Sequence, residues 1–245
     1  MIVAPAMMPT TTACSKKCSS FRVFMPYTLL QIRVEMERKR LMVHRQELVS
    51  YIDELLDAEA YQDSCPNGLQ VEGRAEIGRL VTGVTASLAL LEQALERDAD
   101  AILVHHGYFW KGEEPRIVGM KQRRLKQLLA ADVSLLVWHL PLDAHPVYGN
   151  NAQLAKLLGL LPEGGFAGVP AIGMVGRLNT PMSAESFAEC ITERLHRTPF
   201  YIPAGPKTIT TIAWCSGAAQ SWLGQAADMG VDAYLTGEVS EPTVH

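Results

Sequence analysis

The sequence lacks the marks of several large function classes. It contains no G-x-G-x-x-G fingerprint and no Walker phosphate loop, so neither a dinucleotide nor a P-loop site is expected. A G-x-S-x-G nucleophile elbow is absent as well. No apolar run is long enough to span a bilayer, which excludes a helical membrane anchor within these residues. Cysteine is sparse: Cys14, Cys18, Cys65, Cys190 and Cys215 are odd in number and scattered. That pattern argues for a reducing, cytoplasmic setting over a disulfide framework. "CSKKC" has the wrong spacing for a C-x2-C metal pair. Positive charge is scarce beyond the start of the chain. Residues 1–45 hold eight Lys/Arg against two Glu, whereas the other 200 hold 14 Lys/Arg against 24 Asp/Glu. An acidic body gives no support to direct nucleic-acid binding, which needs a basic face.

What is present is a regular alternation of helix and strand signals. Residues 1–42 have no clean periodicity and are read as an atypical leader; Met36 and Met42, just before the first regular pattern, mark an alternative start. "HRQELVSYIDELLDAE" predicts an amphipathic helix with Leu48, Ile52, Leu55 and Leu56 on one face. "IGRLVTGVTAS" contains a strand ending near Gly83, and "LALLEQALERDA" a helix with Leu88, Leu91, Ala94 and Leu95 inward. "DAILVHHG" is continuously apolar before its histidines, as in a strand covered on both faces. "KQRRLKQLLAADV", "SLLVWHL" and "NNAQLAKLLGL" continue the series as helix, strand and helix, the last capped by Asn150 or Asn151. The class is therefore α/β with a largely parallel sheet. Ser183 and Ser186 stand near the start of a later helix. A glycine-rich stretch near 162–170 is the expected boundary between a first α/β domain (43–165) and a second (166–245).

The second domain echoes the first. "LVTGVTASLALLEQALERDADAILVHHG" aligns without gaps on "IAWCSGAAQSWLGQAADMGVDAYLTGEV", offset by 132 residues. Leu91 falls on Leu223, Ala94 on Ala226, and Asp100-Ala101 on Asp232-Ala233. The echo sets His105-His106 opposite Gly237-Glu238, both at strand ends, where α/β sheets place their chemistry.

Those strand ends carry the candidate chemistry. His105 and His106 are adjacent, so they diverge if the strand continues and converge if it ends; Gly107 permits a turn. Neutral imidazole ligates Zn, Ni, Co, Mn or Fe. The next strand ends "VWHLPLDAHP" and supplies His139, Asp143 and His145. A carboxylate can bridge two ions, so His105, His106 and Asp143 are the candidate metal ligands. His139 alone reads more readily as a non-ligand residue that hydrogen-bonds to a ligand or shapes the loop, and His145 as a surface or outlying one. Glu238 is a candidate base or a salt-bridged turn residue; His139 and Glu238 are the candidate proton carriers. Cys215, in "AWCSGAA", reads as a buried structural cysteine.

At "TGVTAS", "VHHGYFWKGE", "WHLPLDAHPVYGNNAQLA", "PNGLQVEG" and "DAYLTGEVSEPTVH" the chain resembles the NIF3-like family, the GTP cyclohydrolase 1 type 2 homologues, in particular its bacterial YbgI-type members. The resemblance covers residues 43–245. It implies two interlinked domains of similar α/β topology, a dinuclear metal centre in a cleft and a toroidal homohexamer. It assigns the tandem histidines and the bridging carboxylate to His105, His106 and Asp143, with His139 at or beside the site. It also implies that the centre is completed by an H-x-x-x-E in a later segment, so that this sequence, ending at His245, is truncated at its C-terminus and holds two ions per subunit only with that segment. The activity implied is hydrolysis by a divalent ion (Zn, Mn, Fe or Ni) of a nucleotide or related heterocycle. The alternative is a non-catalytic metal-binding scaffold or regulatory protein linked to DNA-damage protection.

Overall fold

A computed structural model describes Ile2–Val3 and residues 42–245. The rest of the leader, with Cys14, Cys18 and Met36, lies outside the described residues. In chain order the strands are β1 (Ile2–Val3), β2 (Val43–His44), β3 (Gly68–Val71), β4 (Glu76–Ile77), β5 (Leu80–Thr85) and β6 (Ala101–His106). They continue with β7 (Ser134–Val137), β8 (Leu160–Phe166), β9 (Gly173–Ser183), β10 (Phe200–Tyr201), β11 (Thr208–Cys215) and β12 (Ala233–Thr236). The helices are α1 (Arg45–Leu56), α2 (Leu88–Glu96), α3 (Gly119–Ala131) and α4 (Leu140–Ala144). After them come α5 (Asn150–Leu158), α6 (Ala184–Leu195), α7 (Leu223–Asp228) and α8 (Glu241–Val244). None of the described helices is long and apolar enough to cross a membrane.

The described chain forms two units, each around its own sheet. One contains residues 42–58 and 63–139. Its four strands lie in the order β3-β7-β6-β5, with β5, β6 and β7 parallel and β3 antiparallel to β7. Ile102, Val104, Leu135 and Val137 are fully buried there against Leu91 and Ala94 of α2 and Leu128 of α3. Ser87 starts α2 by accepting the Leu90 N–H at 3.3 Å. Gly83 lets α2 sit close: a Cβ there would collide with the Leu90 side chain. In α1 the buried residues are Val49 and Leu56, while Leu55 is exposed. Val49 thus takes the inward place expected of Leu55, because the stripe runs 49, 52, 56.

The other unit contains residues 59–62 and 140–245 with the Ile2–Val3 strand. Its strand order is β10-β1-β12-β11-β9-β8. Only part of it is parallel. β11 pairs parallel with β12, but β9 pairs antiparallel with both β11 and β8. The expectation of a largely parallel sheet therefore holds for β5-β6-β7 and fails here. Residues 162–166, expected to be linker, belong to β8, and the division between the units falls at His139–Leu140. α5 is preceded by Gly149 with no side-chain cap, so neither Asn150 nor Asn151 caps it. Ser183 does cap α6, accepting the Ser186 N–H at 3.1 Å.

The echo is built to the residue. Leu80 pairs with Ala101 and Gly83 with Val104 in one unit; Ile212 pairs with Ala233 and Cys215 with Thr236 in the other. Each number differs by the same 132 as the sequence alignment. The aspartate before each second strand does the same work. The Asp100 carboxylate accepts the N–H groups of Gly78 and Arg79 at 2.9 and 2.8 Å. The Asp232 carboxylate accepts those of Thr210 and Thr211, at 2.9 and 2.8 Å. Both clamp the start of one parallel strand to the start of its neighbour.

Candidate metal centre

The end of β6 owes its histidines to unequal strand lengths. Val104 pairs with Gly83 of β5 and Val137 of β7, but β7 stops there while β5 continues until Thr85 lies opposite His106. His105 and His106 therefore project past the end of β7. Alternation would send neighbouring side chains to opposite faces. At this edge their rings instead lie 4.4 Å apart, tilted by 41°. His139, two residues beyond β7, brings a third ring, 4.8 Å from His105 and 5.6 Å from His106. One possible ligand atom from each of the three lies within 4.8 Å of the others. Gly107 follows for lack of space and not for an unusual φ: a Cβ would overlap Gln70 Oε1 and Val137 Cγ2.

Each ring is held through Nδ1. That of His105 lies 3.1 Å from the Trp138 carbonyl oxygen; since a carbonyl only accepts, the nitrogen donates. That of His106 lies 3.4 Å from the Thr85 hydroxyl. That of His139 lies 2.8 Å from Asp63 Oδ1, whose side chain is 2 % exposed. Trp110 walls the group, its ring edge-on to His139 at 4.9 Å and to His106 at 6.0 Å. Three half-buried imidazoles, anchored at one nitrogen by carbonyl, hydroxyl and carboxylate, form a donor set that fits Zn or another late first-row ion. Asp63, Cys65 and His139 make a second such group within the same 4.8 Å. Burial, with the Asp63 charge beside it, pushes the Cys65 thiol up to about 12.

The remaining sequence candidates belong to the other unit. Asp143, in α4, is buried; its Oδ1 accepts Asn150 Nδ2 at 2.8 Å and the Ser216 hydroxyl at 3.1 Å. Asn151, fully buried, accepts the Ser216 N–H at 2.7 Å. Glu238 is exposed just past β12. His145 caps a turn, its Nδ1 accepting the N–H groups of Val147 and Tyr148. Cys215 is buried, and burial with the nearby Asp143 charge pushes its thiol up to about 12, in keeping with a structural role. The sequence reading missed Asp63, Thr85 and Trp110. Asp63 lies just before the "PNGLQVEG" stretch, and nothing in the spacing marks it as the partner of a histidine 76 positions away.

The Duf34/NIF3 (NGG1p interacting factor 3) family model matches residues 43–245. The chain belongs to this family. A GTP cyclohydrolase 1 type 2 homolog of Pseudomonas aeruginosa is 58 % identical over 200 residues, 81 % of this chain and 79 % of that protein. The homolog from Escherichia coli K12 is 52 % identical over the same length. Among solved structures, protein ybgI, described as of unknown function, superposes with a TM-score of 0.80 at 50 % identity, covering 83 % of this chain and 81 % of that one. A structure from Thermus thermophilus gives 0.74 at 33 % identity, with the same coverage. Family membership and the clustered ligand residues together make this a metal-associated protein of the NIF3 type.

Proposed function

We propose that the protein is a divalent-metal-dependent hydrolase of the GTP cyclohydrolase 1 type 2 kind, acting on a nucleotide or related heterocycle. The observation that carries the reading is the convergence of His105, His106 and His139 at the C-terminal ends of the parallel strands β6 and β7. An ion held there supplies Lewis acidity, polarising a substrate oxygen and lowering the pKa of water. The chain's own contribution is orientation. The Trp138 carbonyl, Thr85 and Asp63 fix three imidazoles, and Trp110 covers one side against solvent.

His139 is read as the third nitrogen ligand, since a ligating histidine commonly donates its other N–H to a carboxylate. Asp143 is proposed as a carboxylate ligand from the resemblance, and Glu238 as the proton acceptor from its place at the end of the echo strand. The names of the Pseudomonas and Escherichia relatives point to a cyclohydrolase substrate. Two ions per subunit and a ring of subunits belong to the same proposal. The test is to load the purified protein with Mn, Zn, Fe or Ni, count bound ions and screen nucleotides for turnover. Metal loss in His139→Gln supports its role as ligand, whereas retained metal with lost turnover makes it the proton carrier. Tight metal binding with no turnover on any nucleotide would favour the scaffold reading.

A further inference from the structure

We propose that Asp63 and Asn67 form a holder for His139 and act as positioning residues for the metal centre. The inference rests on the metal-binding reading above. The three residues close a circuit. His139 Nδ1 meets Asp63 Oδ1 at 2.8 Å, Asn67 Nδ2 donates to Asp63 Oδ2 at 3.2 Å, and Asn67 Oδ1 accepts the His139 backbone N–H at 2.8 Å. One carboxamide therefore grips both the backbone of His139 and the carboxylate that holds its ring. The loop is tightened from within: Asp63 Oδ1 accepts the Ser64 N–H at 2.6 Å. Asp63 lies in the irregular chain that leads into β3, which itself pairs with β7 just before His139.

The consequence is chemical. A carboxylate accepts and does not donate, so the hydrogen in the short contact sits on Nδ1 and the lone pair of the neutral ring sits on Nε2. His139 lies at ligand distance from His105 and His106, and the holder sets which nitrogen it presents to them. A carboxylate buried to this degree also needs a donor on the other side, which ties its own place to the ring. The same group contains Cys65, and a cation seated among Asp63, Cys65 and His139 is the competing arrangement. The Asp63–His139 distance favours the holder, because 2.8 Å is that of a charge-assisted hydrogen bond.

The test uses the whole chain, metal-free and then with cobalt(II). Ring 15N–1H correlations of His139, assigned by their loss in His139→Gln, should show the hydrogen on Nδ1 in the wild type. In Asp63→Ala, which removes the acceptor, nothing holds the hydrogen on Nδ1 and most of it should move to Nε2. Cobalt affinity should fall about ten- to hundred-fold in that variant while its urea midpoint and circular dichroism show a retained fold. Asp63→Glu should restore part of the affinity. A wild-type His139 carrying its hydrogen on Nε2 overturns the proposal, and this reading does not depend on any Asp63 variant folding. An unchanged tautomer in a folded Asp63→Ala overturns it too, as does a thiolate-to-cobalt absorption band that Cys65→Ser abolishes. If the tautomer moves as expected but the wild type takes up no cobalt, the holder stands and the metal reading falls.

Discussion

Gly107→Ala should destabilise the histidine-bearing unit by about 2–6 kcal/mol. The added methyl would overlap Val137 Cγ2 and Gln70 Oε1 and fall 2.9 Å from Gln70 Cδ. Val137 is fully buried in the sheet and cannot retreat. Overpacking of that kind costs about 1–3 kcal/mol. Gln70 can swing away, but its Oε1 accepts the Tyr108 N–H at 2.7 Å, and Tyr108 is buried. Losing that acceptor adds about 1–3 kcal/mol. Because the same residue follows His106, the shift should reach the metal site as well. Urea unfolding followed by tryptophan fluorescence reports it, since Trp110 and Trp138 both lie in this unit. Gly112→Ala is the control. Gly112 has φ +86° with open space around it, so it bears only the left-handed strain of about 1–2 kcal/mol. An unchanged midpoint in Gly107→Ala, or a larger loss at Gly112, would refute the crowding argument.

Burial works against the charge of Asp232, but the N–H groups of Thr211 and Thr210 and the Thr211 hydroxyl outweigh it and hold the carboxyl below its ordinary value. Its stabilisation is therefore present above the unfolded carboxylate pKa and is lost as pH falls through the lower folded one; Asp232→Asn should flatten the acid limb of a pH–stability curve. Asp100→Ala should destabilise more than Asp232→Ala in thermal melts, because Asp100 also receives Arg74 at 2.8 Å and is more deeply buried. Cys65 and Cys215, both pushed up to about 12 by burial first, should react slowly with a thiol reagent at neutral pH. Peptide mapping should find half-exposed Cys190 labelled well before either. In the metal-loaded protein, a chelator should lower the melting temperature, by about 2.7 kcal/mol of lost linkage for an ion present at 100 times its Kd.

The alternation of apolar runs and amphipathic helices determined the α/β class, and the 132-residue echo determined that the two sheets share a β-α-β unit in the same register. Both are periodic, local properties, so one dimension carries them. Tandem histidines after a continuous apolar run likewise marked the strand end where three imidazoles converge. The mixed second sheet was not legible, since an antiparallel and a parallel strand bury the same apolar alternation and differ only in chain direction. Nor did the sequence show that Gly107 answers to crowding by Gln70 and Val137. The early end of β7, which lets His105, His106 and His139 meet, is a difference between two strand lengths. The partnership of Asp63 with His139 joins residues 76 positions apart, and only the folded turn before β3 brings them within a hydrogen bond.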